Sequence, residues 1–172
     1  MITKFRWHLR RFTSVEILAV AAIIAAVPTS SFQKVHEHAL ELKCRNNLSQ
    51  IGQFLQMYVI ENDFYPKATF FPSDLGKGND NISKLLEGPK RLWICPSLPG
   101  ELADKGLTFV YNDRIAGKRT LKNPQKTWVL IEMTCTSEKA PHPHPGGYNI
   151  LFADGHVVTS KRLPKKITSA FE

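Results

Sequence analysis

The side chains that could do chemistry are few and widely spaced. His142, His144 and His156, with Glu132 and Asp154, invite a metal reading, and Cys44, Cys95 and Cys135 invite thiol chemistry. Metal ligands must converge to about 2 Å from one ion. His144 precedes a strand whose far end carries Asp154, and five or six extended residues would hold those ends roughly 17–20 Å apart. Only a fold-back through Pro145, Gly146 and Gly147 brings His144 round. The cysteine separations match no zinc signature, and an odd number excludes complete pairing within the chain. A Cys/His nucleophilic pair lacks an evident third group to orient it. No GxxxxGK[ST], HExxH, GxSxG or CxxC motif occurs. The expectation is therefore no metal, no cofactor and no catalytic site, with His144 engaged in local hydrogen bonding.

The elements that would position these residues read as α+β. The 172 residues, 42% of them hydrophobic, suffice for one domain with a real core. Phe32, Val35, Ala39 and Leu42, then Leu48, Ile51, Leu55, Tyr58 and Val59, recur at helical spacing and predict a core-facing helix from Phe32 to Asn62, with a drift near Cys44 that allows a bend. Residues 67–104 read as loop with one helical turn from Asn81 to Leu86. Strands are predicted at Thr108–Tyr111, Thr127–Met133, Tyr148–Ala153 and His156–Ser160. Asp154-Gly155 between the last two predicts a hairpin with a type I′ turn, which gives this dipeptide a sufficient structural reason.

Charge is concentrated at the start. The net formal charge is +8, and Lys4, Arg6, Arg10 and Arg11 all precede any acid. The rest is only mildly basic, which argues against a nucleic-acid partner. Lys161, Arg162, Lys165 and Lys166 read as a solvated run. Val15 to Val27 is apolar except for Glu16. Counted from Phe12 the run spans about 24 Å, short of a roughly 30 Å hydrocarbon core that bilayer thinning and snorkelling arginines can accommodate. A buried core helix or a signal-peptide core has the same pattern. Basic residues before the run put the N-terminus in the cytoplasm and the bulk outside, and Pro28 makes Ala25-Ala26-Val27 a poor cleavage site. A retained membrane segment is the expectation. Glu16 either sits at headgroup level or is an intramembrane acid with a functional partner.

Phe12-Thr13-Ser14-Val15-Glu16-Ile17-Leu18 with its apolar continuation resembles the start of type IV prepilins and type II secretion pseudopilins. Cys44-Arg45-Asn46-Asn47-Leu48-Ser49-Gln50-Ile51-Gly52 is similar to the C-x-N-N-L-x-Q-I-G stretch of bacterial pseudopilin-like proteins. Asn62 to Pro66, Trp93-Ile94-Cys95-Pro96-Ser97, and an H-x9-D-G element made by His144, Asp154 and Gly155 follow in the same order. The resemblance implies a pilin-like fold: a long N-terminal helix, part membrane and part amphipathic, packed on a small antiparallel sheet. It implies a leader at 1–11, a membrane helix at 12–31 and an extracytoplasmic domain at 32–172, in a single-pass protein of the bacterial inner membrane. A prepilin peptidase would cut between Arg11 and Phe12, Phe12 would be methylated, and Glu16 would pair with the amino terminus of a neighbouring pseudopilin subunit. Arg11 stands where the family has a small residue, and the apolar run is shorter than the family's.

The resemblance, together with the outward topology, also implies a Cys44–Cys95 disulfide. No clustered acidic loop matches the calcium loop of major pseudopilins. Three roles follow: a non-enzymatic structural subunit of a type II secretion or pilus-like system, a tethered pilin-fold interaction module that keeps its leader and does not polymerise, and, remotely, a secreted enzyme with a histidine site.

Overall fold

The computed structural model describes residues 13–25, 29–69, 82–86, 88–98, 100–104, 108–137, 139–164 and 167. Arg11 and Phe12, with the rest of the expected leader, lie outside the described residues, as do Lys165 and Lys166. The chain divides into two units, Met1–Val35 and His36–Glu172.

In the first unit, α1 (Ser14–Ala25) is apolar on all its faces after a first turn that holds Ser14 and Glu16. Val15, Ile17, Leu18 and Val20 are all exposed. Its start is a reciprocal cap. Thr13 Oγ1 accepts from the Glu16 backbone N–H at 3.4 Å, and the Glu16 carboxylate accepts from the Thr13 backbone N–H at 2.8 Å and from its hydroxyl at 3.0 Å. This is the capping-box exchange, which satisfies two otherwise orphaned donors of the first turn. Among the described residues no helix is long and apolar enough to cross a membrane.

Helix α2 (Thr29–Asn62) runs unbroken through Cys44, where the sequence pattern allowed a bend. Asp63 ends it in the left-handed conformation, φ 63°, its N–H bonded to the Val59 carbonyl at 2.9 Å. The buried face is Cys44, Asn47, Leu48, Ile51, Gly52 and Leu55, steps of three and four that bring one stripe onto the sheet. The expected continuation of this stripe to the N-terminal side is corrected. Phe32, Val35 and Leu42 are exposed.

The sheet is an antiparallel meander in the order β1-β2-β3-β4: β1 Phe109–Tyr111, β2 Trp128–Glu132, β3 Tyr148–Phe152 and β4 Val157–Ser160. All four predicted strands and the helical turn, α3 (Ile82–Leu85), are present; a second short α-helix, α4 (Gly100–Asp104), lies in the stretch read as loop. A bulge between Trp128 and Leu130 resets the alternation of β2. Val129, Leu130 and Leu151 then face the cluster containing Leu48, Ile51 and Leu55, while Trp128, Ile131 and Ile150 join a second cluster with Met133, Cys135, Tyr148 and Ile167. Both faces of the central strands are thus covered.

The β3–β4 turn differs from the type I′ expectation. The Gly155 N–H bonds to the Phe152 carbonyl and the Phe152 N–H to the His156 carbonyl, both at 2.9 Å. Gly155 alone in this turn has positive φ, 93°. This is a three-residue loop, a type I turn closed by a glycine bulge. Asp154 keeps an ordinary φ because its carboxylate accepts from the His156 backbone N–H at 3.2 Å.

This turn docks on α2. Gln56 Nε2 donates to the Ala153 carbonyl at 2.7 Å. A Cβ on Gly52 would lie 3.0 Å from Leu151 Cδ1 and 3.6 Å from the Gly155 carbonyl oxygen. Gly52→Ala should therefore be close to neutral, as helix propensity offsets the tight contact. Gly52→Leu should cost about 2 kcal/mol by prying the hairpin off the helix. Denaturant midpoints of the two variants check this.

Candidate functional site

Four buried side chains from four distant segments converge between α2 and the sheet. Cys44 lies on α2 where the buried stripe begins. Cys95 follows the short 3-10 helix Lys90–Trp93. Glu132 ends β2, and its place two residues after Leu130 turns it to the helix side. His144 lies ahead of β3. The potential ligand atoms of all four lie within 4.8 Å of one another, and Cys44, Cys95 and Glu132 have no solvent exposure.

Local sequence accounts for each placement. Asn47 Nδ2 donates to the Ile94 carbonyl at 3.1 Å and pins the Cys95 segment to the helix. The Leu98 N–H closes a turn on the Cys95 carbonyl. His144 is brought back by the tight loop through Pro145, Gly146 and Gly147. The Gly147 N–H bonds to the His144 carbonyl at 3.0 Å, and the two residues form a β-bridge. Gly147 has φ 113°, and a Cβ there would fall 2.4 Å from the Ser160 carbonyl oxygen. Only glycine fits.

The contacts centre on one oxygen. Glu132 Oε1 lies 2.6 Å from His144 Nε2, 2.9 Å from Cys44 Sγ, 3.7 Å from Cys95 Sγ and 3.1 Å from Asn149 Nδ2. Oε2 accepts from the Asn149 backbone N–H at 2.7 Å. Asn149 is itself buried and oriented by the Thr159 hydroxyl, 2.7 Å from its Oδ1. On the other side of the imidazole, Nδ1 meets Ser97 Oγ at 3.2 Å, while Nε2 also lies 3.6 Å from Cys95 Sγ.

Electrostatics follow from this packing. Burial alone would depress His144, but its hydrogen bonds with Cys95 and Glu132 and their negative charge carry it up to about 9. Cys44 is pushed far up by burial, then by its hydrogen bond with Cys95 and the charge of Glu132. Cys95 moves down, led by the hydrogen bond from Cys44 and helped by that from His144, against the effect of burial.

The arrangement is not a nucleophile relay. A relay uses one imidazole nitrogen for the nucleophile and the other for the carboxylate. Here Nε2 faces both Cys95 and Glu132, and Nδ1 faces a serine. Four atoms aimed at one small volume are instead the pattern of a ligand shell, and among the described residues these four side chains form the group that could hold a metal ion.

The expectation for His144 is thus corrected: the glycine fold-back occurs, and His144 meets Glu132. The rest of the tempting set stays apart. His142 packs edge-on against Tyr148 at 4.9 Å. His156 stacks on Phe152 at 4.5 Å and contacts Asp154 at 2.5 Å on an exposed turn. His144 and Asp154 do lie at opposite ends of β3. The structure brings together Cys44 and Cys95, the residues of the expected disulfide, but holds both, with Cys135, as free thiols. Sequence reasoning did not join the cysteines to Glu132 and His144, and it missed Asn149; the signals available were the paired glycines and the motif placing Ser97 two residues after Cys95. Comparisons of the chain with protein-family models, characterised proteins and solved structures returned no match.

Proposed function

We propose that the chain is a pseudopilin-like structural subunit of a type II secretion or pilus-like system, held at the inner membrane by its N-terminal segment with its C-terminal domain outside. The observation that carries this reading is helix α2. It is 34 residues long, and it is built in two halves of different character. The C-terminal half lies on a four-stranded antiparallel sheet, while the N-terminal half exposes Phe32, Val35 and Leu42. A helix apolar on every side, such as α1, needs surroundings that water does not supply. A membrane around α1 and neighbouring subunits around the start of α2 meet both needs. The motif residues Asn47, Gly52 and Gly155 act here as joints between helix, loop and hairpin, which suits a scaffold role better than an enzymatic one.

The second reading, a tethered pilin-fold module that keeps its leader and does not polymerise, has one observation in its favour. The Glu16 carboxylate is already engaged by Thr13, so it does not require a charge from a neighbouring subunit. Arg11 before Phe12 points the same way.

N-terminal sequencing of the protein extracted from native membranes separates the two. A mature start at Phe12 is the expected result for the filament subunit; an intact leader leaves the tethered module. Glu16→Ala should then abolish cross-linking between neighbouring subunits while leaving membrane association intact. Recovery of the full-length chain from the soluble fraction alone would sink both readings.

A further inference from the structure

The geometry points to a structural zinc(II) site whose four ligands are Cys44 Sγ, Cys95 Sγ, Glu132 Oε1 and His144 Nε2, clamping α2 and the Cys95 loop onto the sheet. This does not depend on the assembly role proposed above.

The first argument is distance. Zinc–ligand bonds of about 2.0–2.3 Å in a tetrahedron put neighbouring ligand atoms roughly 3.3–3.8 Å apart. Cys95 Sγ lies 3.6 Å from His144 Nε2 and 3.7 Å from Glu132 Oε1. The 2.9 Å and 2.6 Å separations of Cys44 Sγ and His144 Nε2 from Glu132 Oε1 are hydrogen-bond lengths, within about 1 Å of a tetrahedral edge.

The second argument is crowding. A carboxylate oxygen offers about two lone-pair sites, yet Glu132 Oε1 is approached by two sulfurs, an imidazole nitrogen and an amide nitrogen. A cation held among these atoms turns that competition into coordination.

The third is the surrounding shell. A ligating imidazole usually gives its other N–H to an oxygen, and a ligating carboxylate is itself hydrogen-bonded. Ser97 Oγ stands at His144 Nδ1, and Asn149 holds both oxygens of Glu132, with Thr159 behind it.

Ligand chemistry selects the ion. Two thiolates with one imidazole in a tetrahedral arrangement suit zinc and disfavour calcium and magnesium, which take oxygen ligands. All four positions are filled by protein side chains, which marks a structural rather than a catalytic site. On loading, each cysteine sulfur and His144 Nε2 gives up to solvent any proton it carries, and Nδ1–H remains toward Ser97. Two thiolates and a carboxylate around the dication leave one net negative charge, which faces the Asn149 donors. A surface groove lined by Leu40, Pro96, Ser97, Pro143 and His144 lies on the His144 side of the cluster.

The test is metal analysis of the full-length chain, purified in detergent without chelator, with cobalt(II) exchanged for zinc in a parallel sample. One zinc per chain is expected, and the cobalt form should show tetrahedral ligand-field bands with thiolate-to-cobalt charge transfer. Ser97→Ala removes the oxygen at His144 Nδ1 that orients the ring, and should weaken zinc affinity about tenfold. Cys44→Ser should abolish stoichiometric binding, while Cys135→Ser, in the other cluster, should retain it. The cobalt spectrum decides the matter on unaltered protein even where Cys44→Ser fails to fold. Metal-free protein with reduced thiols, a Cys44–Cys95 disulfide as the isolated species, or cobalt bound without thiolate charge transfer would each overturn the assignment.

Discussion

Glu132→Ala should destabilise the domain by about 3–5 kcal/mol in chelator-treated protein, the range for removing one partner of a buried charged pair. The carboxylate has no solvent exposure. It accepts from the imidazole of His144 at 2.6 Å and from the Asn149 backbone at 2.7 Å. Its loss takes away a partner that holds the His144 pKa up, leaves the buried imidazole without its carboxylate and orphans two donors of Asn149. The double variant Glu132→Ala with His144→Ala removes the unpartnered imidazole as well. It should cost less than the sum of the singles by about 2 kcal/mol, a coupling typical of groups in one network. Equilibrium unfolding of the four proteins measures it, and strict additivity would mean that the two side chains do not act as a pair.

A second large effect is expected at Gly147. Alanine there must hold a φ of 113° and bring Cβ into the backbone at Ser160 and Lys161. Strain of this kind costs about 1–3 kcal/mol before any overlap is counted, so Gly147→Ala should lose at least about 3 kcal/mol. Gly146→Ala meets the Thr159 methyl at 2.7 Å, a side chain with some freedom to turn, and should lose less. The informative readout is local. In Gly147→Ala the imidazole of His144 should leave Glu132, visible as a shift of its ring signals in NMR spectra, while the far side of the sheet keeps its packing. An unchanged His144 environment would mean that the loop is not what positions it.

The sequence made some of this legible and hid the rest for physical reasons. Strands β2 and β3 were readable because they are short, apolar and bounded by turn residues. The helix was readable from its three- and four-residue steps, but not which part of it is covered, since exposure depends on where the sheet begins and not on α2 itself. The Asp-Gly hairpin was placed correctly with the wrong turn: a side chain that binds its own backbone, as Asp154 does, removes the need for a second positive φ. The cluster of Cys44, Cys95, Glu132 and His144 was invisible as a set. Its members are separated by long stretches of chain, and spacing signatures detect only ligands that share a local turn. Glu132 and His144 were suspected, yet the extended-strand estimate that separated His144 from Asp154 says nothing of residues on a different strand. Asn149, alternating between buried apolar neighbours, carries no mark of its role.

The joints between α2 and the rest of its domain are strung along the helix. Cys44 meets Glu132, Asn47 meets the Ile94 carbonyl, and Gln56 meets the Ala153 carbonyl. A pull along the helix axis therefore loads these links side by side, in shear, and must break several at once. A pull across the axis would open them in turn, like a zip. A body tugged lengthwise by its own tail is thus far harder to peel apart than its modest size suggests.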